Sequence, residues 1–160
     1  LHRVDRRQRQ MCIRDRLRQS ALVMLSRREY SRAELEQRLG RQEGAAPLLE
    51  EVLERLREQG LQSDERFAES LLRSRISRGQ GPLRITQELR NKGVDESIRE
   101  EVLCGCKQDW FELARSVRER RFGLEPPEDA KMQAKQWRFL VYRGFSQDQT
   151  RYALSAAESE

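Results

Sequence analysis

Six cations crowd the stretch from Arg73 to Lys92 (Arg73, Arg75, Arg78, Arg84, Arg90 and Lys92) against a single acid, Glu88. Guanidinium and ammonium groups at this density offer donors either to phosphates or to the carboxylates of an acidic protein groove. Phosphate contacts would reveal themselves through steep salt dependence. A smaller set, Lys135, Arg138 and Arg143, is interleaved with Trp137 and Tyr142. Cations among aromatics are what a base-stacking surface requires, provided the rings are exposed. Covalent chemistry has no comparable support: there is no Ser/His/Asp set, Cys/His pair or phosphate-binding glycine loop. Cys104-Gly105-Cys106 is spaced too tightly for a tetrahedral zinc site, and the histidine, His2, is remote from it. The expectation is a binding protein, not an enzyme, with no metal and no cofactor of its own.

These side chains must be carried by helices. After the turn signal at Gly60, Asp64 is placed to accept from the backbone N–H groups that open a helix. Phe67, Ala68, Leu71, Leu72 and Ile76 then recur at helical spacing. Gly79-Gln80-Gly81-Pro82 breaks that helix, and Pro82 suits the first position of another, with Ile85 and Leu89 inward and Lys92-Gly93 closing it. A third helix follows Asp95, with Ile98 and Val102 inward.

The same grammar flanks this centre. Upstream, Leu17, Ala21, Met24, Leu25 and Arg28 share a helical face. Ser31 and Glu34 form a capping box ahead of Leu35 and Leu39, Gly44-Ala45-Ala46-Pro47 interrupts, and Leu49, Val52, Leu53 and Leu56 mark a third helix. Downstream, Trp110, Leu113, Ala114 and Val117 begin a helix, Pro126-Pro127 breaks it, and Ala134, Trp137, Leu140 and Val141 lead to Gly144. Ser146 and Gln149 form another capping box, with Tyr152, Ala153 and Ala157 beyond. Leu39, Leu89 and Leu140 lie about 50 residues apart, each a few residues before a glycine. A period of that length with three helices in each copy predicts a tandem helical array. No segment shows the two-residue alternation of a strand. The expected organisation is all-α, with a basic leader at residues 1–16, disordered or not native to the gene, and repeats at 17–62, 63–106 and 107–160.

Composition agrees with thin helical layers: 36% apolar and 37% charged over 160 residues. The net charge of +5 lies in the first 20 residues, where seven arginines meet two aspartates, and the remainder balances. What the remainder has is asymmetry. An acidic stretch from Glu43 to Glu69, including Glu50, Glu51, Glu54 and Glu58, precedes the basic one. The four glutamates read as a solvated face, Arg66 as a structural residue pairing locally, and Trp110, Trp137 and Tyr152 as core. No apolar run approaches the roughly 20 residues of a membrane span. The arginine-rich start has no apolar h-region of a secretory signal, and three scattered cysteines fit a reducing cytoplasm.

Three of these stretches, in order, resemble the RecX family, bacterial regulators of the RecA recombinase. Leu25 to Leu35 resembles its first repeat. Asp64 to Ala68, Arg73, Arg75 and the run Gly81-Pro82 to Val94 resemble its second. Lys135 to Ser146 resembles its third. The resemblance spans about residues 17–157. It departs at Gly40-Arg41-Gln42-Glu43-Gly44, where the family more often has a shorter link. It implies an elongated, curved array of three three-helix repeats, a monomer in the cytoplasm. It implies that the chain binds RecA on its DNA filament and restrains strand exchange, ATP hydrolysis and coprotease function. The cations Arg73, Arg75, Arg78, Arg84, Arg90, Lys92, Lys135, Arg138 and Arg143 are then the candidate contacts to partner or DNA. The competing reading is a helical module that binds DNA backbone phosphates without RecA.

Overall fold

Helices carry almost the whole chain in the computed structural model, which describes residues 2–155, with side chains from Asp5 onward. In chain order they are α1 (His2–Arg27), α2 (Arg32–Leu39), α3 (Ala46–Glu58), α4 (Asp64–Ser77), α5 (Pro82–Asn91), α6 (Glu96–Gly105), α7 (Trp110–Phe122), α8 (Ala130–Tyr142) and α9 (Gln147–Leu154). No strand occurs among the described residues. The fold is therefore all-α, three helices to a module. Ala157, expected on the apolar face of α9, lies outside the described residues. Contacts divide the chain into two units, Leu1–Ser70 with Arg90–Ile98 and Leu71–Leu89 with Arg99–Glu160, so the boundary runs through α4, α5 and α6.

In the first unit Leu17, Ala21, Tyr30, Leu35, Leu39, Val52, Leu53 and Leu56 are buried together. All but Tyr30 lie on the faces the helical spacing predicts, whereas Met24 and Leu25, expected beside Leu17 and Ala21, are half-buried and Arg28 is exposed. The helix ends follow from side chains that satisfy orphaned backbone groups. The Ser31 hydroxyl accepts from the Glu34 N–H at 3.2 Å, and the Glu34 carboxylate accepts from the Ser31 N–H at 3.4 Å. The cap of α4 differs from the expected one. Ser63, not Asp64, accepts from the Arg66 N–H at 3.2 Å. Asp64 is the first helical residue, and its carboxylate accepts from the Arg32 N–H at 2.9 Å, capping α2 across 32 residues of sequence. With Ser63 one position earlier already capping α4, the carboxylate is free to serve a second helix.

The leader also differs. Residues 2–16 continue α1 instead of lying outside the fold. Ile13 packs against the first core, Arg14 pairs with Glu51 at 3.1 Å, and Arg16 donates to the Glu43 carbonyl. Arginine is a good helix former, so a segment without apolar periodicity can still propagate a helix anchored at its last turn.

In the second unit Ala114, Val117, Leu140, Phe145 and Ala153 form the core. Some expected inward positions are more open. Val102, like Ile98 of the first unit, is half-buried, while Ala134 and Val141 are exposed, so α8 buries only Gln136 and Leu140. Trp110, Trp137 and Tyr152, read as core, are half-buried. Tyr152 meets Phe111 edge-on, lies under the Arg115 guanidinium, and its hydroxyl donates to Glu112.

Each unit contains the same joint between modules. In the first, Gly93 follows the second helix of its module and rests on Ala33 in the first turn of α2, while the Ser31 hydroxyl donates to the Lys92 carbonyl at 2.7 Å. In the second, Gly144 rests on Arg84 in the first turn of α5, while the Gly81 N–H donates to the Arg143 carbonyl at 2.8 Å and the Leu83 N–H to the Gly144 carbonyl at 2.9 Å. The residue ahead of the helix thus donates to the carbonyl ahead of the glycine in both, once by side chain and once by backbone. Backbones approach this closely only because the glycines have no Cβ.

Candidate functional site

The basic row from Arg73 to Lys92 is divided between the two units. Arg90 and Lys92 belong to the first unit and the four arginines before them to the second. Three of the six are committed. Arg75 makes a fork-like pair with Glu88, Nε to one carboxylate oxygen at 2.8 Å and a terminal nitrogen to the other at 2.5 Å. That hydrogen bond raises the Arg75 pKa against the opposing effect of burial. Lys92 lies 3.6 Å from Glu34. Arg84 stacks its guanidinium 5.2 Å from the ring centre of Tyr142. Arg73, Arg78 and Arg90 have exposed side chains.

A sharper convergence lies in the second unit, and half of it escaped the sequence reading. Arg78, Arg120, Arg121 and Arg143 line a cleft of about 200 Å³ together with Gly79, Val117 and Phe139. Arg143 donates to the Arg78 carbonyl at 2.9 Å and lies 5.1 Å from the Phe139 ring centre, so its guanidinium is held in place. No acid lines this cleft. Arg120 and Arg121 stand in the last turn of α7, where cations also oppose the negative end of the helix dipole. Their signal was the adjacent pair in Arg118-Glu119-Arg120-Arg121, which helix-capping logic alone would have assigned to the α7 terminus.

Lys135 and Arg138 are exposed on α8. So are Lys131, which the sequence reading passed over, and Tyr142. α8 contains no acidic residue. Its start is fixed by Asp129, which accepts from the Met132 N–H at 2.8 Å. The preceding loop is clamped by buried Arg118, which donates to the Glu125 carbonyl at 3.0 Å and the Leu124 carbonyl at 3.4 Å.

The acidic face of α3 is partly neutralised. Glu54 accepts from Arg32 at 2.8 Å and Arg57 at 2.5 Å, and those hydrogen bonds lower its pKa to about 2. Arg66, read as structural, donates to Glu29 at 3.1 Å and to the Gly60 carbonyl at 2.6 Å. No described helix is long and apolar enough to cross a membrane.

Family comparison covers nearly all of this architecture. Residues 18–56 match the model described as RecX, first three-helix domain, residues 63–103 the second, and residues 107–154 the third. A protein named Regulatory protein RecX from Halorhodospira halophila is 47% identical over 144 residues, 90% of this chain and 89% of its own. Its namesake from Chromohalobacter salexigens is 43% identical over 140 residues, covering 88% of this chain and 91% of its own. The crystal structure of RecX from Lactobacillus salivarius superposes with a TM-score of 0.76 over 89% of this chain and 95% of that one, at 23% identity, a likeness of fold.

Proposed function

The chain belongs to the RecX family of regulatory proteins, and from that premise we propose that it binds the RecA recombinase on its DNA filament and lowers RecA's strand exchange, ATP hydrolysis and coprotease function. The observation that carries this reading is the match to all three RecX three-helix domains in order, over residues 18–154. The mechanism is binding and obstruction. Three like modules in one chain can each add a weak contact, and linked weak contacts favour a polymer of repeating subunits over a free subunit. The exposed cations Arg73, Arg78, Arg90, Lys135 and Arg138, with Arg120 and Arg121 and the half-buried Arg143, are the side chains we assign to those contacts. The chain acts in the cytoplasm, as a monomer.

The test is RecA's single-strand-dependent ATP hydrolysis with this protein added well below one copy per RecA. Loss of hydrolysis at that ratio, with binding to RecA–DNA filaments tighter than binding to bare DNA, is the expected result. Unchanged hydrolysis together with tight, salt-sensitive binding to bare DNA would replace it with the second reading, a DNA-binding helical module independent of RecA. The four-arginine cleft is the observation that favours that second reading.

A further inference from the structure

On the outer face of α8, Lys131, Lys135, Arg138 and Tyr142 follow one another at intervals of three and four residues. At 3.6 residues per turn they fall within about 60° of one another around the helix and extend about 16 Å along it. All four are exposed, and no acid on α8 interrupts them. Tyr142 ends the stripe with 75% of its surface open, although most tyrosine rings bury far more. The Arg84 guanidinium, 5.2 Å from its ring centre, holds the ring and adds positive charge beside it. Tyr142 contrasts with the chain's other tyrosines: Tyr30 is buried between Arg28 and Arg38, and Tyr152 is engaged by Phe111, Arg115 and Glu112.

We propose that this face of α8 is a binding platform for single-stranded DNA, with a base stacked on Tyr142 beside Arg84 and the adjoining phosphates on Lys131, Lys135 and Arg138. An acidic protein would use the cations, and a tyrosine beside arginines also suits a protein interface, so that partner is one outcome of the test below. A double helix would use the cations but keeps its bases stacked inside. An unpaired strand uses both, since every base presents a π-face and every nucleotide a phosphate. The choice of DNA over RNA rests on the RecX reading above, whereas the platform itself does not.

The experiment is fluorescence anisotropy of a labelled oligo(dT) titrated with the purified full chain, without RecA, across a salt series. Tyr142→Ala should weaken binding about 5- to 100-fold with the salt slope unchanged. Tyr142→Phe, which keeps the ring, should stay within about twofold of the parent protein. Lys135→Glu with Arg138→Glu should weaken binding and flatten the salt slope by about 0.7 for each phosphate contact removed. These positions are exposed, so helicity by circular dichroism should be unchanged in every variant. Parent-like binding by Tyr142→Ala, or a Tyr142→Phe loss as large as that of Tyr142→Ala, would overturn the stacking role. Tighter binding of oligo(rU) would overturn the choice of DNA. If the Lys135/Arg138 variant binds oligo(dT) normally but no longer restrains RecA, the face belongs to an acidic protein and the proposal fails. Because RecA is absent from the titration, its outcome and that of the hydrolysis assay are read separately.

Discussion

Gly144 lies so close to Arg84 that a Cβ on the glycine would stand 2.3 Å from the Arg84 Cβ and 2.6 Å from its backbone nitrogen. The glycine also has φ +96°, in the left-handed region. Two separate penalties therefore meet in one substitution. Gly144→Ala should destabilise the fold by about 2–4 kcal/mol, combining strained backbone with overpacking against main chain that cannot swing away. Gly60 supplies the control: its φ is +71°, but nothing lies within 4 Å of a Cβ there. Gly60→Ala should cost about 1 kcal/mol. Urea unfolding followed by circular dichroism measures both, and equal losses would remove the close approach as the reason for Gly144.

Arg75 belongs to the basic row by sequence and to the scaffold by contact, through its pair with Glu88. Arg75→Gln should lower stability by about 1–2 kcal/mol, the cost of losing two charge-assisted hydrogen bonds in a half-buried setting. Charge reversal there would confuse folding with binding. A thermal melt of Arg75→Gln that coincides with the parent curve would refute the structural role.

The arginine cleft is tested at its exposed rim. Arg120→Gln with Arg121→Gln should leave helicity intact, because both side chains are exposed and no negative charge is added at the C-terminal end of α7. The concentration needed for half-maximal restraint of RecA hydrolysis should rise at least about fivefold, the equivalent of about 1 kcal/mol of lost contact. An unchanged dose-response curve would remove the cleft from the mechanism.

Acid should weaken the first unit in a defined window. Hydrogen bonds from Arg57 and Arg32 hold the Glu54 pKa at about 2 in the folded protein, below the ordinary carboxylate value of 4.5, so folding favours its ionised form. The contribution is complete above the unfolded pKa and disappears as pH falls from about 4.5 through about 2. Glu34 acts in the same direction: burial pushes its pKa up, but the hydrogen bonds from Arg28 and the Ser31 N–H bring it below the usual value. Urea midpoints measured across that range should fall more steeply for the parent protein than for Glu54→Gln. Parallel slopes would mean that the Arg32–Glu54–Arg57 cluster does not report on folding.

Much of this was written locally. The capping boxes at Ser31 and Ser146, the apolar faces of α2 and α3, and the period marked by Leu39, Leu89 and Leu140 depend on neighbours within one or two turns. Helix formation is itself a local process, so residue type and spacing were enough to define the all-α fold and its three-module repeat. The helical continuation of residues 2–16 was missed because those residues lack the apolar period and the anchoring contacts of Ile13 and Arg14 lie on other helices.

Which charges remain available to a partner was decided only in three dimensions. Asp64 looks like the cap of its own helix and caps α2 instead. Arg75 and Lys92 look free in the sequence, yet Glu88 and Glu34 engage them. Arg143 meets Arg78 across 65 residues, Arg120 and Arg121 complete the cleft from α7, and Arg84 reaches Tyr142 from another module. Residue type sets what a side chain can bind, and helical period sets the face that it occupies. Its actual partner depends on which segments the packed core brings within about 4 Å, a distance that no local pattern encodes.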